Sequence, residues 1–153
     1  MMDDADKVPH LFQNLILRLL LSMRMNLVKV SIVDMDFGSS FPFISSITNP
    51  TFQNKIIYHQ DGINKLLEEL ALEISEANKN YLGRYPNLDS YNDTVGDMAF
   101  PYHFVFLDDF PNGFTQQAID NLLRLIDHGN ASKAGIKIFI NYHPKIHIHI
   151  IFP

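Results

Sequence analysis

Short apolar runs rich in β-branched and aromatic residues alternate along this chain with amphipathic helical repeats, and that order constrains the fold most. Val28, Val30, Ile32 and Val33 form one run and stop at Asp34. Phe104, Val105, Phe106 and Leu107 form a second and stop at Asp108 and Asp109. Residues 136–140 form a third and stop at Asn141. Runs of this length, interrupted only by Lys29, Ser31 and Lys137, read as strands inside a sheet. Between and before them lie helical periods. Leu11, Leu15, Leu19 and Met23 recur every four residues, with Ile16, Leu17 and Leu20 filling the gaps, which predicts a helix apolar on most sides and buried. Gly62 opens a long helix through Tyr81. Ile63, Leu66, Leu67, Leu70, Leu72 and Ile74 supply its apolar stripe, and Glu68, Glu69, Glu73 and Glu76 are read as a solvated acidic face. Thr115 is the expected N-cap of a helix to Asp127, with Ala118, Leu122, Leu123 and Ile126 inward and His128-Gly129-Asn130 closing it. This alternation predicts an α/β layer fold with a mainly parallel sheet, whose reactive groups gather just past the carboxyl ends of the strands.

The remaining segments carry weaker signals. Residues 1–9 read as a frayed start, although three acids and Pro9 also suit the first turn of a helix. Residues 35–60 lack a clear period apart from a short strand at Lys55-Ile56-Ile57-Tyr58. Phe37, Phe41, Phe43 and Phe52 fall in this stretch and are expected to pack on the core rather than form an interaction surface. Residues 82–100 are turn-rich and read as a loop inside the domain. His147 and His149 alternate near His143 in the tail; without an acid beside them they are read as the polar face of an edge strand rather than a metal site. No internal repeat is present.

Composition then removes several classes of function. The 153 residues, 46% hydrophobic and 19% charged, describe one globular domain or a large piece of one and not a disordered chain. A net charge of -5 argues against a surface that grips nucleic acid everywhere. There is no cysteine, which excludes disulfides, zinc-thiolate sites and thiol nucleophiles and fits a cytoplasmic setting. Gln13, Asn14 and Arg18 interrupt the early apolar stretch, and Asp3, Asp4 and Asp6 stand where a signal peptide is basic.

The sequence Phe104-Val105-Phe106-Leu107-Asp108-Asp109 has its own chemical logic. A buried strand holds a carboxylate rigidly at its tip, where it can face a divalent cation on a phosphate. A second carboxylate beside it can orient a water. Five further pieces accompany it in order. They are the helix at 11–20, the strand Val30-Ser31-Ile32-Val33-Asp34, the Leu/Glu-rich helix at 66–76, the Leu88-Asp89-Ser90-Tyr91-Asn92 segment, and Ala134-Gly135-Ile136 leading to Asn141-Tyr142-His143-Pro144. Pro101-Tyr102 leads into the acidic strand. Taken together, the chain resembles the motor ATPase domain of the FtsK/SpoIIIE DNA translocases over residues 10–144. The resemblance implies a RecA-like three-layer α/β fold with a mainly parallel sheet, incomplete at the N-terminus. Residues 1–9 would replace the phosphate loop, and 145–153 would be an atypical tail.

By the same resemblance, Asp108 holds the Mg²⁺ of bound ATP through water. Asp109, where relatives carry glutamate, positions the attacking water. Its shorter arm withdraws the carboxylate by about one methylene, and misplacements near 1 Å cost about a hundredfold. Asn141 stands at a polar sensor position. The family arginine that reaches across a subunit interface is replaced by Ser132 with Lys133 beside it, and lysine lacks the planar fork of arginine. The partners implied are duplex DNA and further subunits of a ring. The departure is the phosphate loop. Lys7-Val8-Pro9 stands where Gly-Lys-Ser is expected, and no glycine precedes Gly38. Proline removes both a backbone donor and the hydroxyl that would ligate Mg²⁺. Poor ATP binding by this chain alone is therefore expected, as in a truncated domain or a degenerate paralogue. Two alternatives stand beside this reading. One is a non-catalytic structural or regulatory subunit. The other is a metal-dependent nuclease built on Asp34, Asp36, Asp108 and Asp109.

Overall fold

The computed structural model describes residues 4–36, 41–47 and 53–143. Within them the order is α1 (Asp4–Ser22), β1 (Val28–Val33), β2 (Gln53–Ile57), α2 (Gln60–Ala77), α3 (Leu88–Val95), β3 (Tyr102–Phe110), α4 (Gln116–Ile126), α5 (Asn130–Lys133) and β4 (Ile136–Tyr142). The four strands form one sheet in the order β2-β1-β3-β4, and every pair is parallel. Register places Ser31 beside Val105, Val33 beside Leu107, and Leu107 beside Ile140.

Strand alternation sorts the core into two layers. Val28, Val30 and Ile32 of β1 and Phe104 and Phe106 of β3 face α1, where Phe12 and Ile16 close over them. Phe12 meets Phe106 edge-on with ring centroids 5.1 Å apart, and Phe106 stacks on Phe139 at 4.9 Å. Val33, Val105 and Leu107 face the other way, against Ile63, Leu66 and Leu70 of α2 and Leu122 of α4. Helices therefore cover both faces of the sheet, as a parallel sheet requires. Phe41 and Phe43, after β1, pack under α1. Phe37, Phe52, His147 and His149 lie outside the described residues. No helix of the described residues is long and apolar enough to cross a membrane.

Four local expectations change. The first helix already runs from Asp4 and contains Pro9, so the frayed start does not extend through residue 9. Its buried line is Phe12 and Ile16, while Leu11, Leu17 and Leu21 are exposed, because only one side of α1 meets the sheet. Leu72 of α2 and Leu123 and Ile126 of α4 are exposed for the same reason, and Leu125 packs inward instead. Residues 82–100 are not all loop. Asn87 caps α3 by accepting the Ser90 N–H at 2.9 Å. Asn92 then ties α3 to the approach of β3 with a reciprocal pair to the Phe100 backbone, at 2.9 and 3.0 Å. Tyr91 stacks on both Tyr81 and Phe100, which also touch each other. Turn-forming residues dominate this stretch because a short helix spends most of its length on caps.

The acidic face of α2 is the largest revision. Glu68 and Glu76 face outward, but Glu69 and Glu73 turn onto the sheet. Lys29 bridges both, at 3.3 Å from Glu69 and in closer contact with Glu73. Lys55 adds a second pairing to Glu69. Glu73 also lies 2.9 Å from Nδ1 of buried His103, whose Nε2 lies 2.7 Å from Ser31 Oγ. No buried side-chain polar atom of the described residues lacks a partner. The sheet shows α2 polar side chains at Lys29, Ser31 and His103, and α2 answers with two carboxylates one turn apart.

Two consequences are measurable. Gly135 has a positive φ of 78°, and a Cβ there would collide with buried Leu88. Gly135→Ala is expected to cost about 2 kcal/mol or more in chemical denaturation, from left-handed strain and overpacking together. Glu73→Gln removes the charge that Lys29 and His103 share, and should cost about 2 kcal/mol at pH 7. The Glu73 carboxyl is held below its usual range, with the His103 and Lys29 contacts outweighing its burial. Its contribution is thus fully present above the ordinary glutamate pKa. The gap between wild type and Glu73→Gln should close as pH falls through the lower folded value.

Candidate functional site at the carboxyl ends of the strands

β1, β3 and β4 end side by side, and each ends in a polar residue because its apolar run has stopped where the covering layers stop. Asp34 follows β1, is buried, and accepts the backbone N–H of Asp36 at 3.0 Å. Asp108 is buried near the end of β3, and its Oδ1 accepts the Asn141 side-chain N–H at 2.8 Å across the β3/β4 pair. Asn141 is itself buried. Burial pushes the Asp108 carboxyl up from its ordinary value, and the nearby charges of Asp34 and Asp109 push the same way, against the Asn141 hydrogen bond. Of the expected site residues, Asp108 and Asn141 are brought into direct contact, and the charges of Asp109 and Asp34 lie close to Asp108. Asp36 is exposed and enters only through its backbone.

Asp109 is held differently. Register between β3 and β4 shifts between Leu107 and Phe110, and Asp109 takes a left-handed φ of 55° inside that irregularity. The kink turns Asp109 away from the ladder. Its Oδ2 accepts the Asn112 side-chain N–H at 3.1 Å, and its Oδ1 contacts Nδ1 of His143. The His143 backbone N–H donates to Phe110 O at 2.9 Å, which fixes the ring beside Asp109. β4 thus supports Asp108 through Asn141, and His143, the residue just past β4, contacts Asp109. The His143 and Asn112 contacts are not among the sequence expectations, where His143 belongs to the Asn141–Pro144 piece and the tail histidines and Asn112 is a turn residue. The Pro111-Asn112-Gly113 turn just past the two acids is a signal for the Asn112 contact, because it doubles the chain back past Asp109, whereas nothing local points to His143.

Other predicted positions fall elsewhere. Ser132 and Lys133 sit on α5, just ahead of β4, at the amino ends of the strands and away from the acids. Lys7-Val8-Pro9 lies within α1 and offers no glycine-rich backbone cradle. Among the described residues, the one group with metal-ligand spacing is Glu69, Glu73 and His103, with Lys29 already seated on both carboxylates. The Ser31, His103 and Glu73 side chains line up as in a hydrolase, yet Ser31 is 1% exposed within β1 and has no room for a substrate. That line of contacts is structural. Asp34, Asp108 and Asp109 do not come within metal-ligand spacing as a group; the charges of Asp34 and Asp109 act on buried Asp108 through space.

The sequence matches no family model and no curated protein. Solved structures do match it. One holds ATPases 2 and 3 of EssC from Geobacillus thermodenitrificans, at 14% identity and a TM-score of 0.69, over 88% of this chain and 25% of that one. Another is the pCW3 conjugation coupling protein TcpA, in monomer form with ATPγS, at 20% identity and a TM-score of 0.49, over 74% of this chain and 34% of that one. This chain therefore spans a third or less of the length of either. The EssC match and the four-stranded parallel sheet identify its architecture as the RecA-like α/β fold of FtsK/SpoIIIE-type ATPase domains.

Proposed function

We propose that these residues form the core of an ATP-driven motor domain that moves duplex DNA, acting in an assembly of further subunits. The observation that carries this reading is the pair Asp108 and Asp109 at the tip of a buried strand, the first held by Asn141 of β4 and the second by His143 just past it. Asp108, made rigid by Asn141, would hold Mg²⁺ through water. Mg²⁺, when bound, neutralises charge building on the phosphates. Asp109 would orient the attacking water, and Asn141 would sense the terminal phosphate from the neighbouring strand. These roles come from the FtsK/SpoIIIE resemblance and are supported by the Asp108–Asn141 hydrogen bond, with the Asp109 charge close to Asp108. Lys7-Val8-Pro9 supplies no phosphate cradle, so affinity of this chain alone for MgATP is low.

A second reading is favoured by a separate observation. Both oxygens of Asp109 are engaged, by His143 and Asn112, and the α1 sequence carries no glycine. A non-catalytic structural or regulatory subunit with the same core would look like this.

Calorimetry with Mg²⁺ and ATP separates the two. The motor reading expects weak MgATP binding, with a Kd of about 0.1 mM or more. It also expects that binding to need Mg²⁺ and to vanish in Asp108→Asn. Mg²⁺-independent binding, or binding unchanged in Asp108→Asn, would show that the acids do not serve a nucleotide. The variant carries a second expectation without ligand. Ionising Asp108 at its raised pKa costs the folded state stability, so Asp108→Asn should melt higher than wild type at pH 7. That advantage should fade as pH falls and wild-type Asp108 takes up its proton.

A further inference from the structure

Two carboxylates and an imidazole meet near the amino ends of β1 and β3. One oxygen of Glu69, one of Glu73 and a ring nitrogen of His103 lie within 4.8 Å of one another. Around a zinc ion, donors at about 2.1 Å stand roughly 3.4 Å apart. Glu73 and His103 Nδ1 are already at 2.9 Å, and Glu69, whose side chain is 33% exposed, is free to close the remaining gap. The outer contacts of a ligand set are in place as well. Lys55 holds Glu69 through Oε2, which leaves Oε1. His103 Nε2 lies 2.7 Å from Ser31 Oγ, a hydroxyl that gives or takes a hydrogen bond. His103 can therefore keep its proton on Nε2 and turn the Nδ1 lone pair to the carboxylates. A cation already sits between those carboxylates, the Lys29 ammonium. A cavity of about 320 Å³, lined by Lys29, Glu69 and Glu73 together with Tyr81, Phe100 and Pro101, opens onto the group. The Ser31–His103–Glu73 line has no room for a substrate, whereas a metal ion needs only its donors and a path in.

We propose that Glu69, Glu73 and His103 form a site for a divalent transition ion of the zinc type, which enters through this cavity and takes the place of the Lys29 ammonium. Two carboxylates cancel the charge of such an ion. The imidazole selects it over Mg²⁺ and Ca²⁺, which favour oxygen donors throughout. Three protein donors leave a fourth position for water. Lys29, a charge on a flexible four-carbon stem, swings into the cavity. The ion then ties α2 to β3 directly, where Lys29 had tied α2 to β1. This inference goes beyond the nucleotide reading and does not depend on it.

Calorimetry of the full 153-residue chain with Zn²⁺, and visible absorption with Co²⁺ as its spectroscopic substitute, test it. One equivalent of Zn²⁺ should bind with a Kd of about 10 µM or tighter. Co²⁺ should show the intense bands of a four-coordinate ion, and Mg²⁺ in roughly tenfold excess should not displace it. Glu69→Gln keeps the side chain's shape at a partly exposed position and should weaken binding by about tenfold or more. Lys29→Met removes the competing ammonium and should tighten binding by about tenfold. Glu68→Gln, on the outward face of α2, should change neither. Absence of Zn²⁺ binding below about 1 mM in wild type and Lys29→Met alike overturns the proposal. So does a site equally strong in Glu69→Gln, which would belong to histidines elsewhere on the chain, or a site weakened by Lys29→Met.

Discussion

Burial of β3 on both faces is the constraint from which the rest of the molecule follows. Phe104 and Phe106 fill one layer and Val105 and Leu107 the other, so no polar side chain can stand among these four residues without losing its water. Polar groups are driven to the two ends of the strand. His103 stands at one end and is matched by Glu73 and Ser31; Asp108 and Asp109 stand at the other and are matched by Asn141 and His143. The same rule acts on β1, with Lys29 and Ser31 early and Asp34 at the tip.

The two ends are solved differently. At the amino end, carboxylates and cations pair fully, and every buried side-chain polar atom is satisfied. At the carboxyl end, burial pushes the Asp108 carboxyl up, and the charges of Asp34 and Asp109 add to it. A buried carboxyl with a raised pKa beside like charges is a candidate functional position, whereas the amino end is neutralised by paired charges.

Much of this was legible in the residues. Three of the four strands show as apolar-rich runs, unbroken at 104–107 and interrupted by Lys29, Ser31 and Lys137 in the other two, and polar residues at their ends gather at the tip. The Thr115 cap was legible as well, and Thr115 accepts the Ala118 N–H as a cap should. Other features were hidden for definite reasons. A helical period gives the spacing of Glu69 and Glu73 but not the polarity of the surface opposite, which β1 and β3 supply from distant parts of the chain. Leu17 and Leu21 look like core residues by composition, but α1 has only one neighbouring layer. The contact between His143 and Asp109 depends on a left-handed residue at a register shift, and no periodicity encodes that.

The buried line from Ser31 through His103 to Glu73 has a bearing on how sequences of this kind can diverge. Its members lie 72 and 30 positions apart along the chain, so nothing local binds them. Exchanging any one for an aliphatic residue strands a neighbour inside the protein, whereas exchanging all three together costs little. Descendants should therefore keep the trio intact or lose it as a set, and covariation among these three columns would be strong even where each column alone is variable.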